Sequence, residues 1–115
     1  MSTLLDKSGL LAAMAAQTVD VPLPSGLVRI RSITAADRIM LGQKAQGADG
    51  KLDTVQYSGA LVAACVVDEA GQRLFTDDEI GQIMAGSAAV FEQLYDAAQT
   101  INGMGAKGQE QAKGN

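Results

Sequence analysis

The sequence contains no histidine, no tryptophan and a single cysteine. Histidine is the commonest general base and a frequent metal ligand, so its absence removes the usual means of acid–base catalysis and of zinc binding. Cys65 has no partner for a disulfide within the chain, which is typical of a protein in a reducing cytoplasm. It lies in an apolar run, where burial as a small hydrophobic side chain is the favoured interpretation. We therefore expect no enzymatic activity, no cofactor and no metal.

Long apolar runs and basic clusters are also missing. The longest apolar run covers residues 60–67, far short of the roughly 20 residues that a membrane-spanning helix needs. The formal net charge is −4, and the only loose group of basic residues is Arg29, Arg31 and Arg38, which we interpret as a solvated face. Nucleic-acid binding depends on clustered Lys and Arg that neutralise phosphates. We therefore expect neither a membrane nor a nucleic acid as partner.

What is present is the composition of one globular domain. Hydrophobic residues make up 47% of the 115-residue chain, which separates it from disordered proteins. The residue patterns predict an α+β fold that is mainly helical. An N-terminal β-hairpin is followed by four short helices, and all pack in one domain over residues 18–103.

The hairpin is predicted over residues 18–32. Apolar and basic side chains alternate after residue 27, which is the period of a half-buried strand. Pro24, Ser25 and Gly26 stand between two β-prone runs and are typical of a turn. Pro22 cannot donate a backbone hydrogen bond, so the first strand should lie at a sheet edge.

Caps and apolar periodicity predict helices over about residues 34–46, 53–67, 76–85 and 87–102. Thr76 and Glu79 have the spacing of a capping box, and Asn102-Gly103 is typical of a helix C-terminus. The second helix is apolar all round in its back half, where a buried strand would also account for the pattern. Its alanine content and length favour a helix.

An acidic cluster at residues 77–79 has two interpretations. Paired carboxylates can bind a hard cation such as Ca²⁺. The same residues stand in the first turn of a predicted helix, where capping and the helix dipole already favour acids. We adopt the second interpretation.

The two ends of the chain differ in character. Residues 1–17 are either a short helix or a mobile arm, and residues 104–115 are predicted to be a disordered polar tail. Leu4, Leu11 and Met14 can share one helical face, with Leu10 beside them. These four residues are the predicted partner-binding site. The alternative is that the segment packs on its own domain.

The order of the motifs resembles a known family. A strand pair Val-x-Val-Pro-Leu…Gly-x-Val-x-Ile-Arg leads into Ile-Thr-Ala-Ala-Asp-Arg. After an alanine-rich helix comes Val-Val-Asp-Glu-Ala-Gly-Gln-Arg-Leu-Phe-Thr-Asp-Asp-Glu-Ile, and the last helix ends in Ile-Asn-Gly-Met. Over residues 18–104 this order is similar to that of the tail assembly chaperones of long-tailed bacteriophages and prophages. Asp68, Gly71, Phe75 and Thr76 match the pattern, and we assign them structural roles.

The resemblance implies a function and a set of partners. The protein would coat or steer the tape measure protein, recruit subunits of the major tail protein, and leave before the virion is complete. It would act in the host cytoplasm and be absent from the mature virion. Self-association into a homo-oligomer stays open. The alternatives are a structural tail or connector component of the phage particle, and a small regulatory module that binds a protein.

Overall fold

The computed structural model describes residues 3–104 of the chain. Within them the fold is α+β and mainly helical, as predicted. Along the chain the elements are α1 (Lys7–Ala13), β1 (Thr18–Leu23), β2 (Gly26–Arg31), α2 (Ala35–Lys44), α3 (Thr54–Cys65), β3 (Val66–Val67), a 3₁₀ turn (Asp77–Glu79), α4 (Ile80–Met84) and α5 (Ala88–Ile101). The strands form one antiparallel sheet in the order β1-β2-β3.

The predicted hairpin is confirmed, and its register explains the position of the proline. Leu23 pairs with Gly26 across the turn. The Ser32 N–H donates to the Gln17 carbonyl at 2.8 Å, so every second residue of β1 faces β2 with its hydrogen-bonding groups. Pro22 falls between those positions, and its missing N–H would face outward. β1 pairs with β2 alone among the described residues, which makes it the predicted edge strand.

The prediction of a helix over residues 53–67 is wrong at its end. The carboxylate of Asp53 caps α3 by accepting from the N–H groups of Val55 and Gln56, each at 3.1 Å. The helix stops at Cys65, and Val66–Val67 form the strand β3 beside β2. Two adjacent β-branched residues favour extended backbone. Here they also gain a strand partner, which adds to that preference.

In the turn after β3, Asp68, Gly71 and Thr76 have the structural roles predicted from the sequence. The Asp68 carboxylate accepts from the N–H groups of Ala70 and Gln72, each at 2.9 Å. Gly71 takes a φ of +82°, a conformation that glycine adopts without steric cost. The Glu79 carboxylate accepts from the Thr76 N–H at 2.8 Å. The capped segment begins as the 3₁₀ turn and continues as α4, inside the predicted range 76–85.

The core lies between the sheet and helices α3 and α5. Ile30, Leu61, Val62 and Cys65 are its largest fully buried side chains. Gly59 allows α4 to approach α3 closely, since a Cβ built there would stand 2.8 Å from a methyl carbon of Ile80. The predicted helices 34–46 and 87–102 correspond to α2 and α5, each shorter than predicted by one or two residues at either end.

Asn102 joins three elements where α5 ends. Its Oδ1 accepts from the Ile33 N–H at 2.9 Å, and its Nδ2 donates to the Ala98 carbonyl at 2.8 Å and lies 3.5 Å from the Cys65 sulfur. Gly103 then turns the chain with a φ of +69°. Met104 follows and is buried in the core. The polar tail predicted from residue 104 therefore begins no earlier than residue 105, and residues 105–115 lie outside the described part.

Candidate protein-binding arm

Residues 3–17, the arm, precede the sheet, and the last of them, Gln17, hydrogen-bonds to Ser32 at the end of the hairpin. Its helix α1 holds no buried residue and makes no extensive contact with another element. The contacts that shape α1 are local. The Asp6 carboxylate accepts from the Gly9 N–H at 2.7 Å, and the Met14 N–H donates to the Leu10 carbonyl at 3.0 Å.

The predicted binding residues are all exposed to solvent. The exposed fractions are 97% for Leu4, 52% for Leu10, 60% for Leu11 and 66% for Met14. The alternative that the segment packs on its own domain is therefore not the arrangement that the structure shows. One detail of the prediction is wrong. Leu4 precedes Asp6, the N-cap of α1, and so does not share a helical face with Leu11 and Met14.

The length of α1 explains why exposure matters. The helix has 7 residues, and isolated helices shorter than about 12–15 residues are marginal in water. Tertiary packing of an apolar face usually supplies the missing stability. The described part of the chain offers α1 no such packing. The arm thus combines an uncovered apolar face with a helix that gains stability when the face is covered.

Two of the three acidic residues at 77–79 have structural contacts within the fold. Asp77 accepts from Arg73 at 2.9 Å and from Lys44 at 3.1 Å, which ties the 3₁₀ turn to α2. The hydrogen bond from Arg73, followed by that from Lys44, holds the pKa of the Asp77 carboxyl below its ordinary value. Glu79 is used in the cap. Within residues 3–104 no group of acidic or cysteine side chains is arranged to hold a metal ion.

A recess of about 170 Å³ lies between α2, α3 and the 3₁₀ turn, and its lining includes Arg73, Lys44 and Asp77. Its floor is apolar and includes Leu41 and Ile80. Of the charged side chains that line it, Lys44 and Arg73 pair with Asp77, and Arg31 donates to the Gly71 carbonyl. The recess is therefore a stabilised junction of three elements.

The three arginines that form the basic group have separate partners. Arg29 donates to both carboxylate oxygens of Asp20, at 2.9 and 3.1 Å. Arg31 donates to the Gly71 carbonyl at 2.9 Å, and Arg38 to the Asn102 carbonyl at 3.4 Å. Each guanidinium thus connects parts of the fold.

Cys65 is fully buried between the sheet and α5. Burial raises the pKa of its thiol to about 11, against a smaller opposite effect of the nearby Asn102 amide. The reactive form of a cysteine is the thiolate. Cys65 is therefore a protonated core residue at neutral pH, which agrees with its interpretation as a small hydrophobic side chain.

A groove beside the C-terminal end of the arm is not predicted by the sequence. It has a volume of about 470 Å³ and lies between β1 and α5. Its lining is mixed, with the apolar residues Val19, Ala97 and Ile101 beside the polar residues Gln17, Thr18, Asp96 and Thr100. The apolar periodicity of α5 identifies the side that packs on the core. Ala97 and Ile101 are half-buried against the core and also line the groove, so no local signal marks the groove.

No protein-family model, no curated protein and no solved structure matches the chain. Among the described residues, none of the helices has the length and apolar character required to cross a bilayer.

Proposed function

We propose that this protein is a non-catalytic chaperone of phage tail assembly that binds the tape measure protein through its arm and recruits subunits of the major tail protein. The observation that carries the proposal is the exposure of Leu10, Leu11 and Met14 on a helix that no other element covers. The order of motifs over residues 18–104 supplies the identity of the partners.

The chemistry of the arm suits a long helical partner. A tape measure protein is a mostly helical chain with apolar stripes, and a short amphipathic helix can pack on such a stripe. Burying one leucine contributes roughly 1.5–3 kcal/mol. Three buried arm residues supply about 4.5–9 kcal/mol on that basis, against an association cost of about 4–15 kcal/mol. A single arm therefore binds weakly, which suits a chaperone that leaves its client.

Weak contacts become effective when many copies bind one client. A long tape measure chain offers many similar sites, so local concentration strengthens the binding without new contacts. The net charge of −4 keeps the free chaperone soluble while its apolar face is exposed.

The proposal is tested by co-expression with the tape measure protein of the same phage. The variant Leu10→Ser/Leu11→Ser should keep the far-ultraviolet circular dichroism of the domain and lose co-purification. Leu27→Ser is the matched control, because Leu27 is 69% exposed but lies in the hairpin. It should co-purify normally. If the wild type, Leu10→Ser/Leu11→Ser and Leu27→Ser all co-purified equally with the tape measure protein, a role for the arm would be contradicted.

A second measurement distinguishes a chaperone from a structural component of the phage particle. A chaperone should be absent from purified virions in quantitative mass spectrometry. Stoichiometric presence in the virion would instead identify a structural tail or connector protein.

A further inference from the structure

We infer that Asn102 and Gly103 are a site of deamidation, which the folded domain protects and which opening of the last turn of α5 exposes. Asn102 is the only asparagine of the chain that is followed by a glycine. The substrate is the chain itself, and the co-reactant is water. The inference concerns the end of α5 and needs no phage partner, so its test is independent of the proposed function.

The reaction joins a backbone nitrogen to the neighbouring side chain. The Gly103 nitrogen loses its proton and attacks Cγ of Asn102. A new N–C bond forms, the bond from Cγ to the amide nitrogen breaks, and that nitrogen leaves as ammonia with the proton that Gly103 lost. Water then opens the five-membered succinimide ring at either carbonyl, which gives aspartate or its β-linked isomer isoaspartate. Glycine favours ring closure, because no Cβ obstructs the approach of its nitrogen.

The fold holds the Asn102 side chain away from this reaction. Its Oδ1 accepts from the Ile33 N–H at 2.9 Å, and its Nδ2, the leaving group, donates to the Ala98 carbonyl at 2.8 Å. A planar ring requires the Gly103 nitrogen to be eclipsed with the Asn102 Cβ about the Cα–C bond. The ψ of Asn102 is 8°, which nearly eclipses the Gly103 nitrogen with the Asn102 nitrogen instead. The native backbone therefore does not permit ring closure.

The attacking nitrogen is held as well. The Gly103 N–H donates to the Thr100 carbonyl at 3.1 Å, and the Met104 N–H donates to the Gln99 carbonyl at 2.7 Å. Met104 is buried in the core and fixes the chain directly after the site. Amides that are bonded within a fold become reactive toward solvent when the structure opens locally. Ring closure therefore requires the last turn of α5 to open.

The contacts of Asn102 set the size of the protection. Where opening and closing are fast, a reaction of the open form proceeds in proportion to the population of that form. Each net hydrogen bond changes this population by about fivefold. The two side-chain bonds of Asn102 together correspond to about 30-fold. We expect the native chain to deamidate at least about 30-fold more slowly than the unfolded chain.

The products cannot restore the junction at the end of α5. A carboxylate in place of the amide has no N–H for the Ala98 carbonyl, so an oxygen would stand where a donor now lies 2.8 Å from that carbonyl. In isoaspartate the backbone runs through the former side chain, which adds one carbon to the main chain and displaces Met104 from its place in the core. Opening followed by deamidation is thus irreversible and leaves a less stable domain.

Peptide mass spectrometry of the full chain, kept in mildly alkaline buffer, measures the reaction. In denaturing guanidinium chloride, residue 102 should gain the mass of deamidation, and faster at higher pH because the attacking nitrogen must lose its proton. Gly103→Ala should slow this denatured reaction several-fold, because a Cβ obstructs the attack. Gln46 is the internal control. It also precedes a glycine, but its longer side chain would have to close a six-membered ring, which is slower.

The same measurement without denaturant tests the protection. Native wild-type protein should react at least about 30-fold more slowly at residue 102 than the denatured protein. Equal rates in the two states would overturn the protection by the fold. A residue 102 that stays unmodified in denaturant would overturn the site itself.

Met104→Ala tests whether the last turn of α5 controls the native rate. It should speed native deamidation at least about 10-fold, because truncation of a buried methionine favours the open form. Met40→Ala is the matched control, since Met40 is 50% exposed on α2, and its rate should stay within about twofold of wild type. If Met104→Ala also reacted at the wild-type rate, opening of this turn would not be the controlling step.

Asn102→Asp supplies the aspartate product directly. Its melting temperature should be lower by at least about 4–8 °C, the shift that corresponds to one lost net hydrogen bond in a domain of this size. Gln93→Glu adds the same charge at an exposed position of α5 and should shift the melting temperature by less than about 4 °C. If Asn102→Asp melted with the wild type, deamidation would leave the junction intact, which would contradict its predicted effect.

Discussion

Replacing Asn102 by alanine tests how the last turn of α5 holds the fold together. The variant removes the acceptor for the Ile33 N–H and the donor to the Ala98 carbonyl, which are bonds of 2.9 and 2.8 Å. Both partner groups are held in a half-buried junction, so neither regains full hydration. Leaving one such group without a partner costs about 1–3 kcal/mol. We expect Asn102→Ala to lower the free energy of unfolding by about 2 kcal/mol.

Thermal and urea unfolding, followed by circular dichroism, measure this loss. For a domain of this size, 2 kcal/mol corresponds to a decrease in melting temperature of about 8–16 °C. Gln93→Ala is the control, because Gln93 is an exposed residue of the same helix. It should change stability by less than about 0.5 kcal/mol. If Asn102→Ala also stayed within that range, the junction would not depend on the amide, and the reasoning would be refuted.

Three further predictions concern the core and the surface. Gly59→Ala should destabilise by about 1–3 kcal/mol, because its Cβ meets α4. Gly81→Ala, with open space around its Cβ, should stabilise by about 0.5–1 kcal/mol; equal urea midpoints for the two variants would contradict the packing. Asp77→Asn should cost less than about 1 kcal/mol at pH 7. The folded pKa of Asp77 is lowered, so this cost should vanish as pH falls through that pKa; a cost that persists there would not come from its ion pairs. Deleting residues 105–115 should barely change the melting temperature, whereas deleting residues 104–115 should lower it clearly; equal melting temperatures would show that Met104 adds nothing.

Local chemistry was sufficient to predict much of the fold. Alternation over residues 27–31 and the turn at Pro24 and Ser25 identify the hairpin without any knowledge of its partners. Asp68 and Thr76 act within a few residues of themselves, so their roles are visible in the sequence. The edge position of β1 follows from Pro22 because a missing donor restricts where a strand can pair.

Contacts distant in sequence were harder to predict. Val66 and Val67 continue the apolar pattern of α3, and only pairing with β2 makes them a strand. Met104 follows a helix stop signal and precedes polar residues, yet it packs into the core against residues from earlier in the chain. In the sequence, Asn102 is part of a pattern that is typical of an ordinary helix C-terminus. Its bond to Ile33 spans most of the domain sequence and leaves no local pattern.

The candidate site was only partly predicted, because it too depends on contacts that are distant in sequence. Apolar spacing identified Leu10, Leu11 and Met14, but it did not decide whether they pack on their own domain. That depends on whether another element comes within reach of α1. The groove between β1 and α5 arises from two segments far apart in sequence, so its presence requires the tertiary structure.

Hydrogen–deuterium exchange of the full chain, with and without the tape measure protein, tests most directly whether the arm carries the binding. A short exposed helix opens easily, so its amides should exchange fast in the free protein. We predict that binding slows exchange over residues 7–14 and changes little in α3. Protection confined to other elements, with the arm exchanging at its free rate, would contradict the account.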